Sequence, residues 1–387
     1  MPEAVIVDAV RTPIGRAFKG SLAQQRPDDM GAFVIDRLLE RNPDVSPELI
    51  EEVLCGVGMP QGLQAFNMGR IVSLLSERLP IGVGGVTISR YCASSLESIR
   101  AAANSVKAGQ GDAYIAAGVE WVSRYNERTE AAGEADQNEN LQGNNGQPNA
   151  YIAMGLTAEN VADKYEVSRA DMDKYAQRSQ ELAVASQESG FFDREIVPVE
   201  LPDGTLVAKD DGPRASSTLE KLSQLPPAFR EDGRVTAGNS CPLNDGAAAV
   251  LVMSEDKAKE LGLQPRARIV TAGTAALEPE LMGIGPIGAI KKVLDRSGMA
   301  IGDVDVVELN EAFAAQVIPI MAECNIPLEK MNPHGGAIAL GHPFGMTGAR
   351  IMTTLLNDLE TDDKTIGLET MCVAGGQGEA MLVERLN

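Results

Sequence analysis

The sequence predicts an α/β protein built of two similar halves, with a further segment inserted into the first. Three observations carry this expectation. Strand-like and helix-like runs alternate along the chain; an order of elements seen at residues 30–55 recurs at 287–309; and a long polar and mixed stretch interrupts the alternation between them.

Taken in order, Val5-Ile6-Val7 reads as a buried strand, and residues 29–41 carry Phe33, Val34, Leu38 and Leu39 at helical spacing. Residues 52–56, 86–88 and 113–117 are strand-like, with helical runs at 68–78 and 93–108 between them, an order that suggests strands buried on both faces. From 123 to 148 the chain is rich in Asn, Gln, Glu and Gly and reads as an exposed excursion. Ser168 is placed to cap a long amphipathic helix ending near residue 186, and mixed turns follow through 234. The second half begins near Ala267. Its residues 287–309 run helix, Ser-Gly linker and strand, as 30–55 run helix, linker and strand. If the halves are duplicates, the turn around Cys92 and the turn around His342 meet about a pseudo-twofold axis.

A chain of 387 residues has room for two or three domains, and 44% hydrophobic with 23% charged residues is an ordinary globular balance. A net charge of -21 repels phosphate backbones and anionic lipid, so neither nucleic acid nor membrane is an expected partner, and an anionic ligand needs a local basic patch. Residues 1–13 resemble neither a signal peptide nor a span, which points to the cytoplasm. Five scattered cysteines suit free thiols rather than a disulfide framework or a zinc site, and only two histidines, His334 and His342, leave few ligands for any metal.

Four positions carry chemistry. Cys92 sits at a strand-to-helix turn, where the helix dipole and free N–H groups are expected to lower its pKa and make it a nucleophile; the plain alternative is a small core residue. His342 stands in the glycine-rich run Gly335 to Gly345, ahead of Pro343, where an imidazole can face a cleft as a base. Cys372 leads Val373-Ala374-Gly375-Gly376-Gln377-Gly378, a loop whose N–H groups can approach a thioester oxygen and which reads equally as a hairpin turn. Asn310 lies between a strand at 304–309 and a helical run at 311–316, and by itself reads as an N-cap.

Together, Arg90-Tyr91-Cys92-Ala93-Ser94, Asn310-Glu311-Ala312-Phe313, Gly341-His342-Pro343-Phe344-Gly345 and the loop after Cys372 resemble the thiolase family, in its order and over nearly the whole chain. The resemblance implies a five-layered αβαβα sandwich of two similar halves with an inserted loop domain. The N-terminal half would be residues 1–121 and 238–264, the insertion 122–237 and the C-terminal half 265–387. It also implies acyl transfer to and from coenzyme A. Cys92 would be acylated, His342 would take its proton, and Cys372 would move the proton at the α-carbon of acetyl-CoA. Asn310 would hold a water that forms one oxyanion hole with His342, and the backbone N–H groups of Cys92 and Ala374 would form the other.

For coenzyme A the resemblance points to Arg214, Thr218 and Lys221 in the insertion, and to Ala237 and Cys241. CoA and acyl-CoA would be substrates, with no permanently bound cofactor and no metal, in a homodimer or homotetramer of fatty acid metabolism. Three departures from the family pattern stand out: Ala374 in place of glycine, where a positive φ would be strained, Ala153 in place of histidine, and Cys241 in place of serine. The rival readings are a ketoacyl-synthase-like condensing enzyme, which lacks an obvious second histidine here, and a catalytically silent CoA-binding scaffold.

Overall fold

The computed structural model describes residues 2–125 and 137–387. In the first half the elements are β1 (Ala4–Arg11), β2 (Gly15–Arg16), α1 (Pro27–Arg41), β3 (Ile50–Val57), α2 (Met68–Leu75), β4 (Gly84–Ile88), α3 (Ser94–Lys107) and β5 (Ala113–Trp121). The interrupting stretch contributes α4 (Met154–Lys164), α5 (Arg169–Ser189), the two-residue strands β6 (Val199–Glu200) and β7 (Leu206–Val207), and α6 (Leu219–Ser223). After it come β8 (Asn244–Ser254), α7 (Glu255–Glu260), β9 (Ala267–Ala276), α8 (Gly285–Ser297), β10 (Val306–Leu309), α9 (Ala314–Cys324), α10 (Ala337–Leu340), α11 (Thr347–Thr361), β11 (Ile366–Val373) and β12 (Gln377–Arg385).

The long strands pair in the order β10-β11-β12-β9-β1-β8-β5-β3-β4, with β2 beside β8. This ribbon has a seam: β1 joins β9 through Val5↔Arg268 and Ile6↔Ala267 alone, so each half keeps its own sheet. Three separate apolar cores show how the sheets stack. Val34 and Leu38 of α1 pack on Val53 and Ile115. Leu96 and Ile99 of α3, with Ile351 and Leu355 of α11, fill the space between Val250 of one sheet and Met371 and Met381 of the other. Ile290 of α8 and Val317 and Ile320 of α9 cover Leu368 and Leu382. Helices, sheet, helices, sheet and helices therefore form five layers.

The central pair of helices matters most for function. At Gly348 in the first turn of α11, an added Cβ would lie 2.2 Å from the Leu96 nitrogen of α3, and the Ala349 N–H donates to Ser95 Oγ at 2.8 Å. The turns leading into the two helices are thereby held side by side. The echo between the halves is also physical: α1, a 3-10 turn at Pro47–Leu49 and β3 repeat as α8, a 3-10 turn at Ile301–Asp303 and β10.

The interrupting stretch is tied to both halves by buried polar links. Arg11 Nε meets Glu195 at 2.6 Å and Arg11 Nη1 meets Asp210 at 2.7 Å, all with fully buried side chains. Tyr175 and Ser179 of α5 donate to Glu311 at 2.8 and 2.6 Å. Removing one partner of such a pair strands a charge and costs about 3–5 kcal/mol. Of the polar excursion at 123–148, residues 126–136 lie outside the described ones; beyond them residues 137–144 are exposed. Two expectations change. β4 is a half-exposed edge strand rather than one buried on both faces, and α2 stops at Leu75 because Ser76 turns out of the helix to bond Asp36.

Candidate active site

Cys92 is delivered by a tight turn between β4 and α3. The Ser94 hydroxyl accepts from the Arg90 N–H at 2.9 Å and donates to the Tyr91 carbonyl at 2.6 Å, closing a loop in which Tyr91 takes a left-handed φ of 45°. A non-glycine residue held there stores strain, which places the next side chain where a relaxed turn would not. The helix N-terminus does not leave Cys92 as a thiolate. Burial pushes its thiol well above the ordinary range, the Cys372 and Cys241 thiols add to that, and the Ala374 N–H hydrogen bond is the one influence that lowers it. The expected dipole-lowered pKa is thus overridden by burial, and the resting group is a neutral thiol.

His342 follows α10 and Gly341, whose φ of 114° suits glycine and whose absent Cβ would fall 2.5 Å from Asn244 Cγ. Asn244 Oδ1 in turn accepts the His342 backbone N–H at 3.0 Å. The ring is fixed at both nitrogens. Nδ1 lies 2.7 Å from Thr347 Oγ1, whose own hydrogen goes to the Pro343 carbonyl at 2.8 Å, so Nδ1–H must be the donor. Nε2 then presents a lone pair, which faces the Asn310 amide nitrogen at 3.2 Å. Burial first, and then the Arg350 charge, push the His342 pKa down to about 3, so the imidazole is neutral and able to accept a proton.

Asn310 does not cap a helix. The segment Glu311 to Phe313 is spent on other bonds, α9 begins at Ala314 with Phe313 as its cap residue, and the Asn310 side chain turns to His342 instead. Its Oδ1 is buried without a protein partner. Cys372 lies within β11, paired with Gly378 of β12, so the loop after it is a β-hairpin turn. Gln316 Nε2 donates to Cys372 Sγ at 3.1 Å, which partly offsets the burial that pushes this thiol up to about 11. The left-handed conformations of the hairpin fall on Gly375 and Gly376, with φ of 78° and 77°. Ala374 has no positive φ and carries none of the strain expected of it.

A cavity of about 820 Å³ opens onto two of these groups. Cys92 and His342 line it, as do Ala153, Arg214, Lys221, Ala237 and Cys241. Cys372 and Asn310 are fully buried and are not part of its lining. Thr218 is elsewhere engaged: its hydroxyl caps α6 by accepting from the Lys221 N–H at 3.4 Å, and it is not part of the lining. Three residues escaped the sequence reading: Thr347, Gln316 and Arg16, the last a further lining residue. Thr347, five residues after the histidine and opening a helix, carried a faint signal; the other two carried none.

Residues 4–256 match the family model for the thiolase N-terminal domain and residues 263–385 that for the thiolase C-terminal domain. The chain belongs to the thiolase family. It is 43% identical to the 3-oxoadipyl-CoA/3-oxo-5,6-dehydrosuberyl-CoA thiolase of Escherichia coli strain K12, over 100% of both chains. It is also 43% identical to a probable acetyl-CoA acyltransferase of Staphylococcus epidermidis, over 100% of this chain and 99% of that one. Among solved structures, the acetyl-CoA acetyltransferase of Bacillus anthracis superposes with a TM-score of 0.91 at 39% identity, covering 100% of this thiolase and 99% of that chain. The dimeric peroxisomal thiolase of Saccharomyces cerevisiae gives 0.92 at 38%, covering 100% and 98%. This thiolase is accordingly an acyltransferase of thiolytic cleavage or condensation of acyl-CoA, with coenzyme A and acyl-CoA as its substrates. No helix among the described residues is long and apolar enough to cross a membrane.

Proposed function

We propose that this thiolase works through an acyl intermediate on Cys92, cleaving a 3-ketoacyl-CoA to acetyl-CoA and a shortened acyl-CoA or running the same steps in reverse. The observation that carries the reading is the fixed His342 tautomer in the cavity that the buried neutral thiol of Cys92 also lines. Proton transfer from Cys92 to Nε2 makes the thiolate only when substrate is in place. The thiolate adds to the 3-keto carbon, the bond between C2 and C3 breaks, and the departing acetyl-CoA enolate takes a proton from Cys372. A coenzyme A thiol then gives its proton to the Cys372 thiolate and attacks acyl-Cys92, and the Cys92 sulfur leaves and regains its proton from His342 as the shortened acyl-CoA forms.

Two oxyanion sites fit this course. The Ala374 N–H already reaches the Cys92 sulfur, which supports its pairing with the Cys92 N–H around the acyl carbonyl. The unpartnered Asn310 Oδ1, next to His342, supports a water held for the enolate oxygen. Arg214, Lys221, Ala237 and Cys241 serve the coenzyme A moiety in this reading, with Thr218 acting through the α6 cap. We divide the chain into residues 1–121 with 238–264, an inserted domain at 122–237, and 265–387.

Self-association is part of the proposal. β4 leaves one edge of its sheet unpaired among the described residues, and Phe66, Leu74, Ile81 and Val86 are exposed large apolar side chains on or near it. A second copy would cover them, in keeping with the dimer named for the yeast relative. We place the enzyme in the cytoplasm and in fatty acid or related acid breakdown. Coenzyme-A-dependent thiolysis of acetoacetyl-CoA, 3-oxoadipyl-CoA and a long-chain 3-ketoacyl-CoA tests the reading, with Cys92→Ser as control. Activity lost in the control supports it; no thiolysis of any of the three refutes it in favour of a silent scaffold.

A further inference from the structure

Arg16 was not foreseen as a functional residue, yet its surroundings single it out. It lies on β2, which pairs with the start of β8 through Gly15↔Asp245 and Arg16↔Asn244, and its side chain lines the cavity that holds Cys92. Arg214, on the loop between β7 and α6, lines the same cavity from the other side of the boundary between the first half and the inserted stretch. Among the described residues neither guanidinium has a carboxylate within ion-pair distance, whereas Arg11, Arg230 and Arg266 each do.

The nearby acids are committed elsewhere. Asp210 is held by Arg11. Asp211 Oδ2 accepts from the backbone N–H groups of Arg16 and Ser21, both at 2.9 Å, so it fixes the backbone under Arg16 without neutralising its side chain. The two cations feel each other: burial and then the Arg16 charge push the Arg214 pKa down. Two mutually repelling cations that line one cavity without an ion-pair partner among the described residues, in a chain of net charge -21, form a site that an anion relieves. Ser216 and Ser217 line the same region and add hydroxyl donors, which suits a ligand with several oxygens.

The geometry points to Arg16 and Arg214 as a two-cation clamp for the phosphates of the coenzyme A moiety, with Arg16 the residue that makes the enzyme prefer coenzyme A thioesters to thioesters on a bare pantetheine arm. This rests on the acyl-transfer reading above. Bidentate guanidinium contact with phosphate oxygens is stronger and more directional than an ammonium contact, so lysine at this position keeps only part of the effect.

The test compares kcat/KM for thiolysis of acetoacetyl-CoA and of acetoacetyl-pantetheine in wild-type protein, Arg16→Ala and Arg16→Lys, with thermal midpoints to confirm folding. The preference for the coenzyme A thioester falls about tenfold in Arg16→Ala, through KM rather than kcat, and Arg16→Lys keeps an intermediate preference. Wild-type preference also declines with added salt, more steeply than in Arg16→Ala. An unchanged preference in Arg16→Ala overturns the proposal. So does a loss confined to 3-oxoadipyl-CoA, which would make Arg16 a reader of the acyl carboxylate. Wild-type protein that cleaves neither thioester removes the acyl-transfer reading itself, a failure that is separately visible.

Discussion

His342 Nδ1 and the Thr347 hydroxyl lie 2.7 Å apart, and this hydrogen bond decides which ring nitrogen can act as a base. Because Thr347 gives its own hydrogen to the Pro343 carbonyl, the imidazole must carry its proton on Nδ1 and offer Nε2 as acceptor. In the proposed mechanism Thr347 is therefore a positioning residue.

Thr347→Val frees the tautomer and the ring. Its kcat falls by about 10²-fold while KM changes little, and Thr347→Ser regains most of the activity. Stopped-flow acylation by acetoacetyl-CoA locates the loss in the step that deprotonates Cys92. A merely structural role would be revealed by a lowered thermal midpoint with acylation intact.

Gln316 Nε2 holds Cys372 Sγ at 3.1 Å and lowers a thiol that burial pushes up to about 11. In Gln316→Leu that thiol becomes harder to ionise, so condensation of two acetyl-CoA molecules slows by about tenfold, whereas acetylation of Cys92 keeps its rate. Separate measurement of the acyl-enzyme burst and the steady-state rate checks the split.

Acid weakens the fold through His342. Its pKa drops from 6.5 to about 3 on burial, so above pH 6.5 both folded and unfolded states are neutral there and the full stability is present. As pH falls below 6.5 the unfolded chain binds a proton that the folded one refuses, and stability declines by about 1.4 kcal/mol per pH unit until the folded group titrates. Urea titrations between pH 7 and 4 show a shallower decline for His342→Gln.

Glu369 has the opposite sign. It faces Arg350 and lies beside Glu308 in the register of β10 with β11, both its carboxylate oxygens lack partners, and burial raises its pKa well above the usual carboxylate range. Stability from this group is present below its unfolded pKa of 4.5 and lost as pH rises. Glu369→Gln removes that loss, so the variant gains about 1–3 kcal/mol over wild type at pH 8 and less at pH 5. Thermal midpoints at the two pH values read the difference.

Much of the fold was legible in local pattern. Ser168 was foreseen as a cap and does accept the Asp171 N–H at 3.1 Å, because an N-cap needs only its own first turn. The helix, turn and strand repeated in the two halves was visible as an order of hydrophobic runs. The local pattern at Asn310, though not the family resemblance, pointed elsewhere for the converse reason. Its sequence position is that of a cap, but its partner, His342, is 32 residues away and no local pattern records that. The Cys92 pKa departs similarly: the helix start is local, whereas the burial that raises the thiol, and the Cys372 and Cys241 thiols that add to it, come from tertiary packing. Thr218 was chosen by family position, and its hydroxyl turned out to be spent on α6. Charge partners set by tertiary packing, such as Arg16 facing Arg214, were beyond the reach of sequence.

The proposed mechanism requires Cys92 to be the acylated residue, and quenching the protein with acid after incubation with acetyl-CoA tests this most directly. Digestion and mass spectrometry should find one acetyl group on the peptide containing Cys92, and more of it in Cys372→Ala, which acylates but does not turn over. Acetyl on Cys372 or Cys241, or acetylation that survives in Cys92→Ala, would contradict it.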